Sequence, residues 1–414
     1  RRVLFRSGFL RLMATGVTGL LIPARGVAAD ADDDARRERV ADVIRVYQLQ
    51  GGHRTATEVD QTSGQWLAAL AARIGAEVTP HAFPLDKVEL QACYIESGGA
   101  RREALPFFDG AFTGPDGLVG ALGLPGSGAP IALVTLDQAA ISSEGQSIAS
   151  LRRSTSLRAI VAITDGGLPG LCPSNAREYL QPYGVPVLQV SSTAGDWLRA
   201  LVEQGGAVRV VAHAARRQTR ADNILATVRG RRPERAPVVV MTPRSGWWQC
   251  ASERGGGLAC WTEIMRAVAD VRPERTVRFL ASSGHELGHL GLDTFLHEEP
   301  ALITAAAAWV HLGANIGAAG GRMRLQASAD DIEALAVTAL QTAGARIDDR
   351  IPRGTVPAGE ARNIHVGGGR YVSMLGNGPH FHNPDDLWPA AVDLEALTRY
   401  AAAAVELTLR LARA

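Results

Sequence analysis

The run RTVRFLASSGHELGHLG, residues 275–291, decides the reading of this chain. Its first half, 276–281, is an apolar, β-branched stretch of strand length. Its second half, from Gly284 to about residue 296, predicts a helix. A strand feeding a helix is the repeating unit of a parallel sheet covered by helices. Working outward, the alternation returns. Strands are expected at 223–228, 238–242 and 371–375. Helices are expected at 258–268, 330–342 and 393–411, the last capped by Asp393. Residues 305–312 read as a buried strand or helix segment. Upstream, Val40, Val43, Ile44 and Tyr47 mark a helix over 33–49. Trp66, Leu70 and Ile74 mark a second, entered at Thr57 and closed by Gly75. A strand at 77–83 follows. The fold class is therefore α/β, with a mixed, mainly parallel sheet and helices on both faces.

Between these two parts the texture changes. Short apolar runs at 131–136, 159–163, 185–190 and 208–212 are punctuated by Gly and Pro. They predict a β-rich module over 85–215, inserted between 30–84 and 216–414 of the α/β domain.

Composition narrows the function. The 414 residues carry 43 Lys+Arg against 42 Asp+Glu, so charge balance points to neither nucleic acid nor an anionic membrane. Lys87 is the single lysine; the arginines, with abundant Ala and Gly, read as base-composition bias. Residues 1–29 read as an export signal whose paired arginines resemble the twin-arginine type. Arg1-Arg2 precede an apolar stretch, and Val27-Ala28-Ala29 offers small residues for cleavage. Arg11, Thr15 and Pro23 interrupt that stretch, so a stable membrane span is not expected. The mature chain is expected to be periplasmic or secreted. Four cysteines fit an oxidising compartment; Cys250 with Cys260 as a disulfide, or buried free thiols, both remain open.

His285-Glu286-Leu287-Gly288-His289 is a literal H-E-x-x-H. On a helix this spacing puts two imidazoles on one face to hold zinc, while the glutamate deprotonates zinc-bound water. A third ligand at the spacing of the longer zinc motifs is absent, since Leu292 and Asp293 stand there.

A wider pattern runs through Asn223–Gly230, the strand near Val238, Ala251-Ser252-Glu253-Arg254 with Gly255–Gly257, the run 275–291, and His382-Asn383-Pro384-Asp385-Asp386. In order and spacing it resembles metallopeptidase family twenty-eight, the zinc aminopeptidases related to glutaminyl cyclase and the transferrin receptor. The resemblance spans nearly all of the mature chain and implies that 85–215 is a protease-associated domain. The family binds two zinc ions through His, a bridging Asp, Glu, Asp and His, with a second Glu as base. Here Pro243 replaces the first histidine, and no carboxylate stands in His311–Asn315. What remains is Glu253, Glu286 and His382 as ligands of one zinc ion, with His285 in the base position and peptides or proteins as substrates.

Plainer readings stand beside these. Glu253 next to Arg254 reads equally as a solvated loop carboxylate, and Glu286 as a complement to a helix dipole. His382 reads as a turn residue with His380 as its rival. His289 reads as a bystander, and His311 and His365 as structural. Three functions follow: an exported zinc hydrolase, an inactive relative that binds peptides or proteins, or an H-E-x-x-H zinc protease.

Overall fold

The computed structural model describes residues 25–414. The expected export segment lies largely outside them. Among the described residues no helix is long and apolar enough to cross a membrane.

Four parallel strands form the centre of the sheet, in the order Val277–Ser282, Val238–Pro243, Ala308–Leu312, Tyr371–Gly376. Their residues alternate between two buried faces. Val238 and Val240 point into one core with Trp261, Ile264 and Leu407; Val239 and Met241 point into another with Leu292, Phe295 and Trp309. Burial on both faces is why these strands read as unbroken apolar runs. The first core lies under the helices Arg25–Leu49, Gly255–Val271, Asp330–Thr342 and Leu394–Arg413. The second lies under Leu290–Glu298 and Ala361–Val366. The sheet is thus covered on both faces, as its sequence requires. Trp261, fully buried and edge-on to Phe279 at 5.5 Å, anchors the first core; truncating it to Ala costs about 3–5 kcal/mol.

Local signals set the ends. The Thr57 side chain accepts from the Asp60 amide to start helix Glu58–Ile74, and Gly75 at φ 103° closes it in a conformation that favours glycine. The start of Gly255–Val271 abuts neighbouring chain so closely that a Cβ on Gly256 would lie 2.1 Å from the Ile316 carbonyl oxygen.

Two long strands differ from expectation. Glu77–Ser97 and Ala207–Val228 pair antiparallel from Glu77↔Thr227 to Glu96↔Arg209, so both expected module boundaries fall inside continuous strands. The runs at 208–212 and 223–228 are one strand. Residues between them form a four-stranded parallel sheet, Leu118–Gly123, Ile131–Asp137, Ala159–Asp165, Val187–Ser191, with helix Gly195–Glu203. It is hydrogen-bonded into the main sheet's path through Leu118–Gly123 and Ala207–Val228, yet it buries cores of its own. The four cysteines are free thiols.

A segment of this region crosses back over the main domain. The Pro173 carbonyl oxygen meets His382, the Ala176 amide donates to the Glu286 carbonyl oxygen, and Trp247 Nε1 donates to Asn175. These contacts cover the carboxyl ends of the central strands.

Candidate metal centre

Ligand sites in open α/β sheets lie beyond the carboxyl ends of the strands, and the polar residues of this chain converge there. After strand Val277–Ser282 the chain does not enter a helix at once. Gly284 at φ 83°, a single 3-10 turn His285–Leu287, Gly288 at φ 85° and His289 at φ 70° precede helix Leu290–Glu298. The H-E-x-x-H is therefore not helical, correcting the expectation for 284–289. The tight turn still brings the two imidazoles together, with ring centroids 5.0 Å apart. Ala56, Cys250, Asn315 and His382 also hold positive φ near these residues, the kind of strain that collects at functional sites.

Glu360, which precedes helix Ala361–Val366, completes a group that the sequence did not reveal. One ligand atom from each of His285, His289 and Glu360 lies within 4.8 Å of the others. His285 Nδ1 is 2.6 Å from Glu360 Oε1, and His311 Nε2 is 3.3 Å from Oε2. His311 Nδ1 meets Ser373 Oγ at 2.8 Å, and His289 Nδ1 meets Asn363 Oδ1 at 2.9 Å. Burial and the charge of Arg254 push His285 down to about 4, against the pull of Glu360, so the ring is neutral near pH 7. Burial raises the Glu360 carboxyl, but His285, His289 and hydrogen bonds from His285 and His311 outweigh it and hold it well below the usual range. Two imidazoles and a carboxylate are a donor set for zinc. Donors around tetrahedral zinc stand about 3.3 Å apart, so the 2.6 Å pair must open slightly to admit the ion.

The residues expected as ligands are brought to the same place, but two of them are already engaged. Glu286 is fully buried. Its Oε1 accepts from the Thr55 amide and hydroxyl, each at 2.7 Å, and its Oε2 accepts from Ser245 Oγ at 2.7 Å. Glu253, buried rather than solvated, has Arg254 Nη2 2.7 Å from its Oε1, with His382 Nε2 at 3.6 Å. Burial raises Glu253, and Arg254, His382 and His285 bring it below its ordinary value. The Glu253 carboxylate is thus engaged by a guanidinium and the Glu286 carboxylate by three hydrogen-bond donors, whereas His382 Nε2 has no hydrogen-bond partner. His285 faces Glu360 rather than solvent, being 7% exposed.

Charge is unbalanced around these groups. Five carboxyls, Asp60, Glu253, Glu286, Glu360 and Asp386, neighbour three guanidiniums, Arg54, Arg244 and Arg254. Buried charge needs partners. Burial pushes Asp60 up to about 6 and Asp386 up to about 7, and a divalent cation would offset the remaining excess.

Comparison with known proteins agrees with the architecture. A peptidase M28 precursor from Shewanella amazonensis superposes with TM-score 0.74 at 16% identity, covering 94% of this chain and 97% of its own. BSAP, a zinc aminopeptidase from Bacillus subtilis, gives 0.71 at 15% identity over 91% and 94%. The fold is that of the zinc aminopeptidases. An aminopeptidase from Aneurinibacillus sp. strain AM-1 adds 0.67 at 16% identity over 91% and 94%. No protein-family model matches the sequence, and no curated protein does. At such identities the likeness covers the backbone frame alone.

Sequence reasoning placed His285, Glu253, Glu286 and His382 at the site. It missed Glu360, Asn363, Thr55 and Ser245, which come from distant segments with no motif, and it read Arg254 only as a solvating neighbour.

Proposed function

We propose that this chain is a zinc-dependent hydrolase of peptide amide bonds whose single ion is held by His285, His289 and Glu360. The observation that carries this reading is the convergence of their donor atoms within 4.8 Å at the carboxyl ends of the parallel strands. The bound ion would supply Lewis acidity and a water of lowered pKa. The chain's own residues do the rest. His311, itself held by Ser373, steadies Glu360 through its Oε2, and Asn363 fixes the His289 ring. Asp293, exposed at the rim, accepts a hydrogen bond from Asn363 Nδ2. It is the carboxylate with access to water and takes the proton that His285, as a ligand, cannot. The segment around Pro173–Asn175 covers the site and excludes bulk water.

Residues 1–29 are proposed as an export signal and 85–215 as a protease-associated insertion, supported by its separate cores. One observation favours a second reading, a metal-free peptide-binding relative: Arg254 already neutralises Glu253. Zinc analysis with assay against a panel of unblocked and blocked peptides decides between them. About one zinc per chain with chelator-sensitive cleavage supports the hydrolase. Absence of zinc with retained peptide binding supports the second reading.

A further inference from the structure

The Glu253–His382 pair has the makings of a second cation site. His382 Nδ1 stands 2.7 Å from the Pro173 carbonyl oxygen, which can only accept, so Nδ1 carries a proton; burial lowers the ring below its ordinary value, and the neutral ring then has its lone pair on Nε2. A histidine fixed in this way by a carbonyl is how proteins orient metal ligands. That lone pair faces Glu253 Oε1 at 3.6 Å, acceptor to acceptor. Both atoms are buried and lack a hydrogen-bond partner, as do Nη1 and Nη2 of Arg254. The guanidinium contacts Glu253 Oε1 at 2.7 Å as an ion pair without an aligned hydrogen bond. It is held from its other side, where Nε donates to the Ser245 carbonyl oxygen at 2.6 Å. The loop is pinned in turn, because Asp386 accepts from the amides of Ser252 and Glu253 at 2.8 and 2.9 Å.

We propose that Arg254 is a resident cation that occupies, in place of a divalent metal ion, a site built from Glu253 and His382. A guanidinium stays charged at every accessible pH. It therefore neutralises Glu253 permanently and repels any metal ion that approaches the pair. The consequence is a centre restricted to one metal ion. This inference rests on the metal-centre reading of the site, and its test reads separately from it.

The experiment is zinc titration of the full chain, by calorimetry and by cobalt(II) substitution spectra, on wild type, Arg254→Ala, Arg254→Lys and Glu253→Gln. Arg254→Ala is expected to bind one more equivalent than wild type, and the double variant Arg254→Ala/Glu253→Gln to lose that gain. Arg254→Lys, which restores the charge, should match wild type. Glu253→Gln alone should leave the wild-type count unchanged. If the His285–His289–Glu360 reading fails, wild type binds none, and Arg254→Ala still rises from none to one. Should Arg254→Ala not fold, Arg254→Gln replaces it. A folded Arg254→Ala or Arg254→Gln that binds no more metal than wild type overturns the proposal. So does a Glu253→Gln variant of otherwise wild-type sequence that loses zinc.

Discussion

Replacing Glu286 by Ala separates a buried hydrogen-bond hub from a metal ligand. The carboxylate accepts three hydrogen bonds at 2.7 Å, two from Thr55 and one from Ser245, with no solvent exposure. Ser245 Oγ also accepts from the amides of Gly284 and His285, and Thr55 Oγ1 from that of Gly284. The hub thus ties residue 55, the end of strand Val238–Pro243 and the H-E-x-x-H turn together. Hydrogen bonds to a charged group contribute about 1.5–3 kcal/mol each, less than additively within one network. Removing the acceptor strands the Thr55 amide in the interior, so the loss is about 3–5 kcal/mol. In a chain of this length that corresponds to roughly 3–10 °C in Tm. The assay is thermal unfolding of metal-free protein by circular dichroism, with zinc counted on the folded sample. Glu286→Ala should unfold earlier and keep its zinc. Glu286→Gln, which preserves one acceptor oxygen, should fall between Glu286→Ala and wild type. An unchanged metal-free Tm with loss of zinc would refute the hub and make Glu286 a ligand.

Further outcomes follow from the same geometry. Asp293→Asn should keep zinc and lower peptide hydrolysis by about 10²–10⁴-fold, read from kcat at saturating substrate; unchanged kcat removes Asp293 from the proton-transfer role. His53 is buried and stacked on Tyr47, with its Nε2 at the Tyr47 carbonyl oxygen, and burial lowers it to about 3. The folded state thus refuses a proton that the unfolded state takes up below pH ~6.5. His53 therefore costs stability as pH falls from about 6.5 towards 3, by at most about 1.4 kcal/mol per pH unit. His53→Gln should flatten that part of the stability–pH curve, and denaturant titrations giving parallel curves would contradict it. Gly256→Ala should destabilise by about 1–3 kcal/mol, because its Cβ meets the Ile316 carbonyl oxygen; a wild-type Tm would show that the helix start can move.

The sequence made the central strands legible because a strand buried on both faces must be a continuous apolar run, as 238–243 and 277–282 are. The long paired strands were illegible for the opposite reason. Residues 216–220 lie largely exposed within Ala207–Val228, so no apolar pattern joins its two ends. Pro80 and Pro84 sit in Glu77–Ser97, over a stretch whose only partner is Ala207–Val228, where a missing donor can be tolerated. At the site, local motif and order located His285, Glu253, Glu286 and His382. Their roles depend on partners far away in the chain. Glu286 is engaged by Thr55, more than two hundred residues upstream, and His285 by Glu360, 75 residues downstream. The glycines at 284 and 288 could have warned against a helical H-E-x-x-H, since both take positive φ. Arg254 was visible beside Glu253, but only the fold turns its side chain inward.

The most direct test of the metal centre is zinc content, by elemental analysis after gentle purification, of wild type, His289→Ala, Glu360→Gln and His382→Ala compared side by side. The account predicts about one zinc per chain in wild type and in His382→Ala, and almost none in His289→Ala and Glu360→Gln. Zinc retained by His289→Ala and lost from His382→Ala would place the ion with Glu253 and His382 and contradict the assignment.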